Sequence, residues 1–401
     1  MSFSSILMII YAIGAAIQVG TALFAVSYTR GWIRKKIVSV YDPSFQPNCA
    51  VIIPTKGLAS HSVKNFRAFL EQNYPSFSVY FVVESESDAG VPTLRELTEE
   101  YSHALLVVAG LSTSCSQKIY NMLAGVKVAG NVDVLAFGDN DICPPTCWLR
   151  NLIKPLAYSD ITVSSGYRWL VNRQSSWGEY VHILMNMTFY AYFTIASYLG
   201  CSFLWAGSFA IRRKDFIALE VSKTWNKAIS DDVSLGLLLS RTRCKTYQTP
   251  EVFIHSDDTF STARESTLWF QRQILNVKLH HYLIWSIWGF ILLVVMPLPF
   301  ILLPLAIACM LSGAVSFYEA GGIAGCTFFV GELITGMLYG SISPTRRHGC
   351  LAACMPFLRI PQIIAYCKTI GVYHINWAGV CYCFDRKGHV ASIERDFPSG
   401  E

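Results

Sequence analysis

Asp139-Asn140-Asp141 follows directly on Val132-Asp133-Val134-Leu135-Ala136-Phe137-Gly138, an apolar strand that stops in a pair of carboxylates. Carboxylate oxygens at D-x-D spacing could hold Mg2+ or Mn2+, with the phosphates of a nucleotide completing the shell. The blander alternative is a loop-capping pair ahead of Pro144-Pro145. A second acidic pair, Asp231-Asp232, stands before the apolar run Val233–Leu239. Asp232 is placed to cap the helix expected there. A carboxylate at that point could also accept a proton from an attacking hydroxyl.

Four further residues carry usable chemistry. Lys118 and Asn121, in Ser116-Gln117-Lys118-Ile119-Tyr120-Asn121, open an expected helix. A cation there could contact phosphate and an amide could fix a sugar or base; a solvated first turn is the alternative. Gly207, in Trp205-Ala206-Gly207-Ser208, could let an acceptor come close to the backbone, or could serve only a tight start to the next strand. Arg272, in Phe270-Gln271-Arg272-Gln273, could clamp a diphosphate or anchor its helix to lipid headgroups.

These residues need a scaffold, and the pattern supplies one. From Cys49 to about Thr267 strand and helix signals alternate, which predicts an α/β domain with an open, mostly parallel sheet. Strands are expected at Ala50–Pro54, Val79–Val83, Ala104–Val108 and Val132–Gly138, with helices at Ser62–Gln72, Leu94–Tyr101 and Gln117–Val128. The second strand ends in Glu84-Ser85-Glu86-Ser87-Asp88. Polar groups at the carboxyl ends of such strands mark a ligand crevice. No GxGxxG or Walker A sequence is present, so dinucleotide and P-loop sites have no support. Tyr180–Ala210 is nearly uncharged, yet His182, Asn186 and its glycines favour a mixture of buried core and membrane-facing surface.

Composition places this scaffold at a bilayer. The 401 residues are 52% hydrophobic and 15% charged, with mean hydropathy +0.37, against about 25% charged in soluble domains. Ile6 to Val26 carries no charge and could cross a hydrocarbon core of about 30 Å as a helix. Arg30, Arg34, Lys35 and Lys36 come after it, the reverse of a cleaved signal peptide, which predicts a retained anchor with a cytoplasmic basic flank. Tyr282 to Tyr318 is uncharged and too long for one span. It reads as an aromatic belt (Tyr282, Trp285, Trp288, Phe290), a span near Ile291–Leu311 kinked around Pro297 and Pro299, and a turn at Ser316–Gly322 carrying Glu319. A return span near Ile323–Tyr339 holds Glu332, and Arg346-Arg347 follows. Leu351–Ile370 carries Arg359 and Pro361 and reads as interfacial or re-entrant; if it spanned, the tail after Gly371 would lie on the other face.

The expected layout is an anchor at 1–30, a cytosolic domain at 45–280, transmembrane and interfacial helices at 281–371, and a tail at 372–401. A net charge of +5, clustered beside apolar segments, fits anionic headgroups and not nucleic acid. Thirteen cysteines lack the spacing of a structural zinc site, and a cytosolic domain disfavours disulfides. Asn186-Met187-Thr188 matches a glycosylation sequon that cytosolic placement makes irrelevant.

Taken together, the acidic cluster after the second strand, Asp139/Asp141, Asp231-Asp232 and Arg272 resemble the ceramide glucosyltransferase family of inverting GT-A enzymes. The similarity runs from the first span through the tail. It implies a GT-A fold, a UDP-sugar donor, a divalent cation (Mg2+ or Mn2+) and an amphipathic lipid acceptor at the cytosolic face. The D-x-D maps onto Asp139 and Asp141, and the base onto Asp232, with Asp231 where a Glu is usual. Ser85 stands where an Asp is expected, which leaves the uridine contact to Glu84 or Glu86. The last motif is partly kept: Arg272 matches, Leu275 and Asn276 replace Arg and Trp, and Lys278 resembles the basic residue that follows. The tail Ile375-Asn376-Trp377-Ala378-Gly379-Val380-Cys381-Tyr382 resembles a W-x-G-x-x-Y ending of related lipid glycosyltransferases.

The implied reaction is transfer of a sugar, glucose in the first instance, to a lipid hydroxyl such as that of ceramide, in glycolipid biosynthesis. Two rivals share the acidic motifs or the fold. A processive polysaccharide synthase needs a tunnel of several spans and an intact Q-x-x-R-W. A non-catalytic membrane-binding protein would account for the departures at Ser85, Leu275 and Asn276.

Overall fold

Buried side chains on both faces of successive strands build a sheet with two apolar layers. It is seen in a computed structural model that describes residues 3–31, 44–59, 61–172, 174–199, 202–256, 259–311, 319–344, 347–385 and 388–395. Arg34, Lys35, Lys36, Arg346 and Ser316–Tyr318 of the turn expected at Ser316–Gly322 lie outside the described residues, while Glu319–Gly322 open a helix and not a turn. The chain divides into two compact units. One comprises Lys35–Arg168, Ala196–Ser256 and Tyr373–Glu401, the other Met1–Arg34, Trp169–Ile195 and Asp257–Val372.

The first unit is the α/β body. Strands β1 (Cys49–Pro54), β2 (Phe77–Val83), β3 (Ala104–Val108), β4 (Val134–Gly138), β5 (Ile161–Ser165), β7 (Ser208–Arg212) and β8 (Lys245–Gln248) form one sheet in the order β3-β2-β1-β4-β7-β5-β8. Only β7 runs antiparallel to its neighbours β4 and β5. Two three-residue strands, β6 (Arg168–Leu170) and β9 (Ile254–Ser256), lie outside this sheet. Helices α2 (Ser62–Leu70), α3 (Val91–Glu100) and α4 (Gln117–Val128) make the crossovers between the first four strands. The short helices α5 (Trp148–Ile153), α7 (Arg213–Ala218) and α8 (Val221–Trp225) precede α9 (Asp231–Arg241).

Residues of odd number along β1, namely Cys49, Val51 and Ile53, join Phe66, Phe69, Phe81 and Trp148 in one layer. Ala50 and Ile52 join Ile119, Met122, Phe137, Phe209 and Trp225 in the other. A sheet covered on both faces explains why its strands read as continuous apolar runs.

Two features of this body position the site. The order reverses between β1 and β4, and such a switch point opens a crevice at the strands' carboxyl ends. Because β7 is antiparallel to β4, Gly138 pairs with Ser208, which brings the turn before β7 beside Asp139. The tail also belongs to this unit, as a three-stranded antiparallel sheet of β10 (His374–Trp377), β11 (Val380–Phe384) and β12 (Val390–Glu394).

The second unit is helical. Helices α1 (Phe3–Thr29), α12 (Leu298–Leu311) and α13 (Glu319–Ile342) are long or strongly apolar, and α11 (Tyr282–Phe290) leads into α12. Among the described residues, four stretches are long and apolar enough to cross a membrane: Met8–Thr29, Tyr282–Ala308, Gly322–Ile342 and His348–Cys367. Ahead of Pro297 and Pro299, where a kink was expected, lies a π-helical turn at Ile291–Val295, in which Met296 N–H donates to Ile291 O at 2.9 Å. Small residues let α1 and α13 approach, since a Cβ on Gly331 would lie 2.9 Å from that of Ala15.

The stretch expected to be interfacial or re-entrant is broken by a 3-10 turn at Met355–Leu358, between α14 (His348–Cys354) and α15 (Arg359–Cys367). At the start of α15, Arg359 donates to Glu332 of α13 (Nη2 2.7 Å, Nε 3.1 Å) and to Gln362 at 2.8 Å. The nearly uncharged run after Tyr180 is mostly one helix, α6 (Trp177–Tyr198), buried at Val181, Leu184, Met185 and Tyr190. Helix α10 (Ala263–His280) starts at a capping box between Thr262 and Glu265.

Candidate active site

Lys118 brings the two acidic motifs together. It sits in the first turn of α4, whose N-cap Ser116 accepts from Ile119 N–H. Its ammonium lies 2.7 Å from Asp139 Oδ1 and 3.1 Å from Asp231 Oδ2. The side chains of Lys118, Asp139 and Asp231 are 17%, 23% and 5% exposed, so three charges share a poorly hydrated space. Burial alone would lower the lysine's affinity for its proton, but Asp139 and Asp231 outweigh it and hold the ammonium above its ordinary range. Burial likewise opposes ionisation of Asp139, yet Lys118 and Arg168 keep that carboxyl below the usual range. Asp231 goes the other way. Burial pushes it up to about 6, with Asp232 and Asp139 adding to the rise and Lys118 opposing it.

Asp232 is not the cap that the sequence predicts. Ser230 is the N-cap, and Asp231 and Asp232 occupy the first turn of α9. Asp232 Oδ1 accepts from Val233 N–H at 2.7 Å and from the Ser230 hydroxyl, while Oδ2 has no partner among the described residues. The helix begins two residues earlier than expected, and the Ser230 hydroxyl is turned to Asp232 and makes no cap bond to the backbone. Of the two carboxylates, Asp231 turns inward to Lys118, and Asp232 is half-buried with one oxygen uncommitted.

Asp141 faces outward with its side chain 48% exposed and pairs with Arg168 Nη2 at 2.5 Å. The Arg168 guanidinium also lies over the Trp205 ring, 5.5 Å from its centroid. Gly207 is required where it stands: a Cβ there would meet Trp205 Cζ2 at 2.2 Å and Asp139 Oδ2 at 2.7 Å. Asp139 N–H donates to Gly207 O at 3.2 Å, completing a tight corner between β4 and β7.

The remaining expected residues separate. Glu84, at the end of β2, pairs with Lys56 at 3.3 Å in the loop after β1. Glu86 is turned outward onto Arg95. Asp88 is structural, accepting from Gly57 N–H at 3.0 Å and Gly90 N–H at 2.8 Å. Asn121 is buried, donating to Val82 O at 3.1 Å and accepting from Gln117 Nε2 at 2.9 Å, so its amide fixes α4 to the end of β2. Arg272 lies on α10 in the helical unit. In that same unit Lys278 donates to Thr369 O at 2.8 Å and Val372 O at 2.9 Å, capping the segment after α15.

Lys56, Arg168 and Ser230 were missed by sequence reasoning. Arg168 follows β5, a strand that the reading did not assign, and its place at a carboxyl end was the available signal.

The matched family agrees with this geometry. Glycosyl transferase family 21, the ceramide glucosyltransferase family, covers residues 14–390. The chain belongs to that family. The transferase is also similar in structure to the mannosyltransferase PcManGT of Pyrobaculum calidifontis, solved with GDP-Man and Mn2+. The match has a TM-score of 0.51 and 15% identity over 91% of this chain and 99% of that one. At that identity the likeness establishes the shared fold. The protein is thus a GT-A-type glycosyltransferase with candidate membrane-spanning helices, and its family implies a nucleotide-sugar donor.

Proposed function

We propose that the protein is a membrane-bound inverting glycosyltransferase that moves a sugar, glucose in the first instance, from a UDP-sugar to the hydroxyl of a lipid such as ceramide, working at the cytosolic face. The observation that carries this reading is the Lys118 bridge, which gathers Asp139 and Asp231, with Asp232 adjacent, at the carboxyl ends of the sheet.

Asp139 and Asp141 offer hard oxygen donors, while no cluster of three or more His, Cys, Asp or Glu side chains suited to a metal occurs among the described residues. That donor set fits a cation held by one or two carboxylates and completed by substrate phosphates. Asp139 and Asp141 would hold Mg2+ or Mn2+, which supplies positive charge to the departing diphosphate. Lys118 adds a second, fixed positive charge in the same poorly hydrated space. The uncommitted Oδ2 of Asp232 takes the proton of the lipid hydroxyl as it attacks the anomeric carbon from the face opposite the diphosphate. Glu84 with Lys56 faces the uridine. Single displacement inverts the anomeric configuration.

The test is Asp232→Asn, which should abolish transfer while UDP-sugar still binds. Turnover within about tenfold of the parent would remove Asp232 from the base role, since general-base catalysis contributes about 10²–10⁴-fold.

A further inference from the structure

The tail sheet is bound to the donor end of the α/β body at four places. Lys56 Nζ, already paired with Glu84, donates to Ala378 O at 2.9 Å. Gln117 N–H donates to the Tyr382 hydroxyl at 3.1 Å. Arg395 donates to Ser112 O and lies 3.4 Å from Gln117 Oε1. Val390 N–H donates to Lys227 O at 3.0 Å. Lys56 follows β1, and Ser112 and Gln117 follow β3, so three of these contacts lie beyond the carboxyl ends of parallel strands, with Glu84 at the end of β2 joined through Lys56.

The tail is shaped for that position. Ala378 and Gly379 both have positive φ, 52° and 77°, forming the two-residue hairpin turn that matches strand twist. An alanine in the left-handed region is held there against its preference, and Lys56 grips its carbonyl. On one face of the sheet Ile375, Val380, Tyr382 and Phe384 are buried, while His374, Asn376, Ser392 and Glu394 on the other are exposed. Tyr382 reaches the amide of Gln117, the first residue of α4. That is one of the helix-start donors with no intrahelical partner. The next residue is Lys118.

We infer that the C-terminal sheet is the outer wall of the nucleoside-diphosphate site, with its Ala378-Gly379 turn closing the pocket beside Lys56 and Glu84. Tyr382 is the positioning residue that fixes the start of α4 and thereby Lys118. The inference rests on the donor reading above, and it adds a wall that comes from beyond the helical segments of the chain. The tail is thereby a part of donor binding, and acceptor binding does not depend on it.

Hydrogen–deuterium exchange on the full-length protein in lipid nanodiscs, with and without UDP, tests this directly. UDP is expected to slow exchange in Trp377–Tyr382 together with Thr55–Gly57 and Glu84. Protection of the latter two alone leaves the donor reading standing and overturns the tail's role. If UDP binds nowhere, with calorimetry also silent, the donor reading itself fails.

Tyr382→Phe supplies an independent reading without removing the ring. It is expected to raise KM for UDP-sugar about fivefold, the effect of one hydrogen bond, with kcat within about twofold and the acceptor KM unchanged. A purely structural role would instead lower active enzyme with KM intact. That result, or no change in any parameter, overturns the assignment.

Discussion

Two buried ionic groups in this transferase are built on opposite principles. In the helical unit Arg359 and Glu332 form a closed pair: the glutamate is fully buried, and the arginine meets it through two nitrogens while a third holds Gln362. In the α/β unit one ammonium serves two carboxylates, with Asp232 and the Arg168–Asp141 pair alongside. The closed pair has matched charges and belongs to packing. The open cluster has more carboxylates than cations around Lys118, which suits a site whose charge balance is completed by what it binds. Buried charge alone therefore does not distinguish structure from chemistry; the mismatch does.

The sharpest way to break this contrast is to remove a charge from each. Lys118→Ala should reduce turnover by about 10²–10³-fold, the range for losing one charge-stabilising donor, as read in a transfer assay on protein that remains folded. Loss below about tenfold would make the lysine a mere spacer. Arg359→Ala should act on stability instead, costing about 3–5 kcal/mol by stranding a buried carboxylate, seen as lower yield and earlier thermal unfolding in detergent. Replacing both members, Arg359→Met with Glu332→Gln, should recover most of that loss. If the double variant were as damaged as the single one, the pair would have a role beyond packing.

A pH titration gives the smallest and most specific effect. Asp231 holds its proton up to about pH 6 when folded, whereas an unfolded aspartate releases it near 4. Between those values the folded state binds more protons, so in EDTA stability should decline as pH rises through that window and level off above 6. Activity should move oppositely, rising through pH 6 as the partner of Lys118 becomes charged. Asp231→Asn should flatten the stability profile; an unchanged profile would assign the titration to another group.

Much of this was readable from residues alone. The first four strands and three of their helices were legible because apolar runs and amphipathic periods stood apart, and α4 was expected at Gln117–Val128, where it lies. The open α/β class followed from the same alternation. The corner that sets Gly207 against Asp139 was not legible, because it depends on β7 running antiparallel between β4 and β5. Asn121 was misplaced for a related reason. Its amide faces the end of β2, a neighbour fixed by tertiary packing and invisible to local spacing. Lys118 shows both sides of the limit. A cation at the start of α4 was foreseen, but its two carboxylate partners come from distant segments that local spacing does not reveal.

The return of the tail gives one folded unit a boundary that the order of the chain does not suggest. Lys35–Arg168 and Tyr373–Glu401 belong to the same compact unit, although three of the candidate spans among the described residues separate them in sequence. A segment that follows every candidate span is therefore needed to complete that unit, which cannot finish folding until the helices before it have been translated.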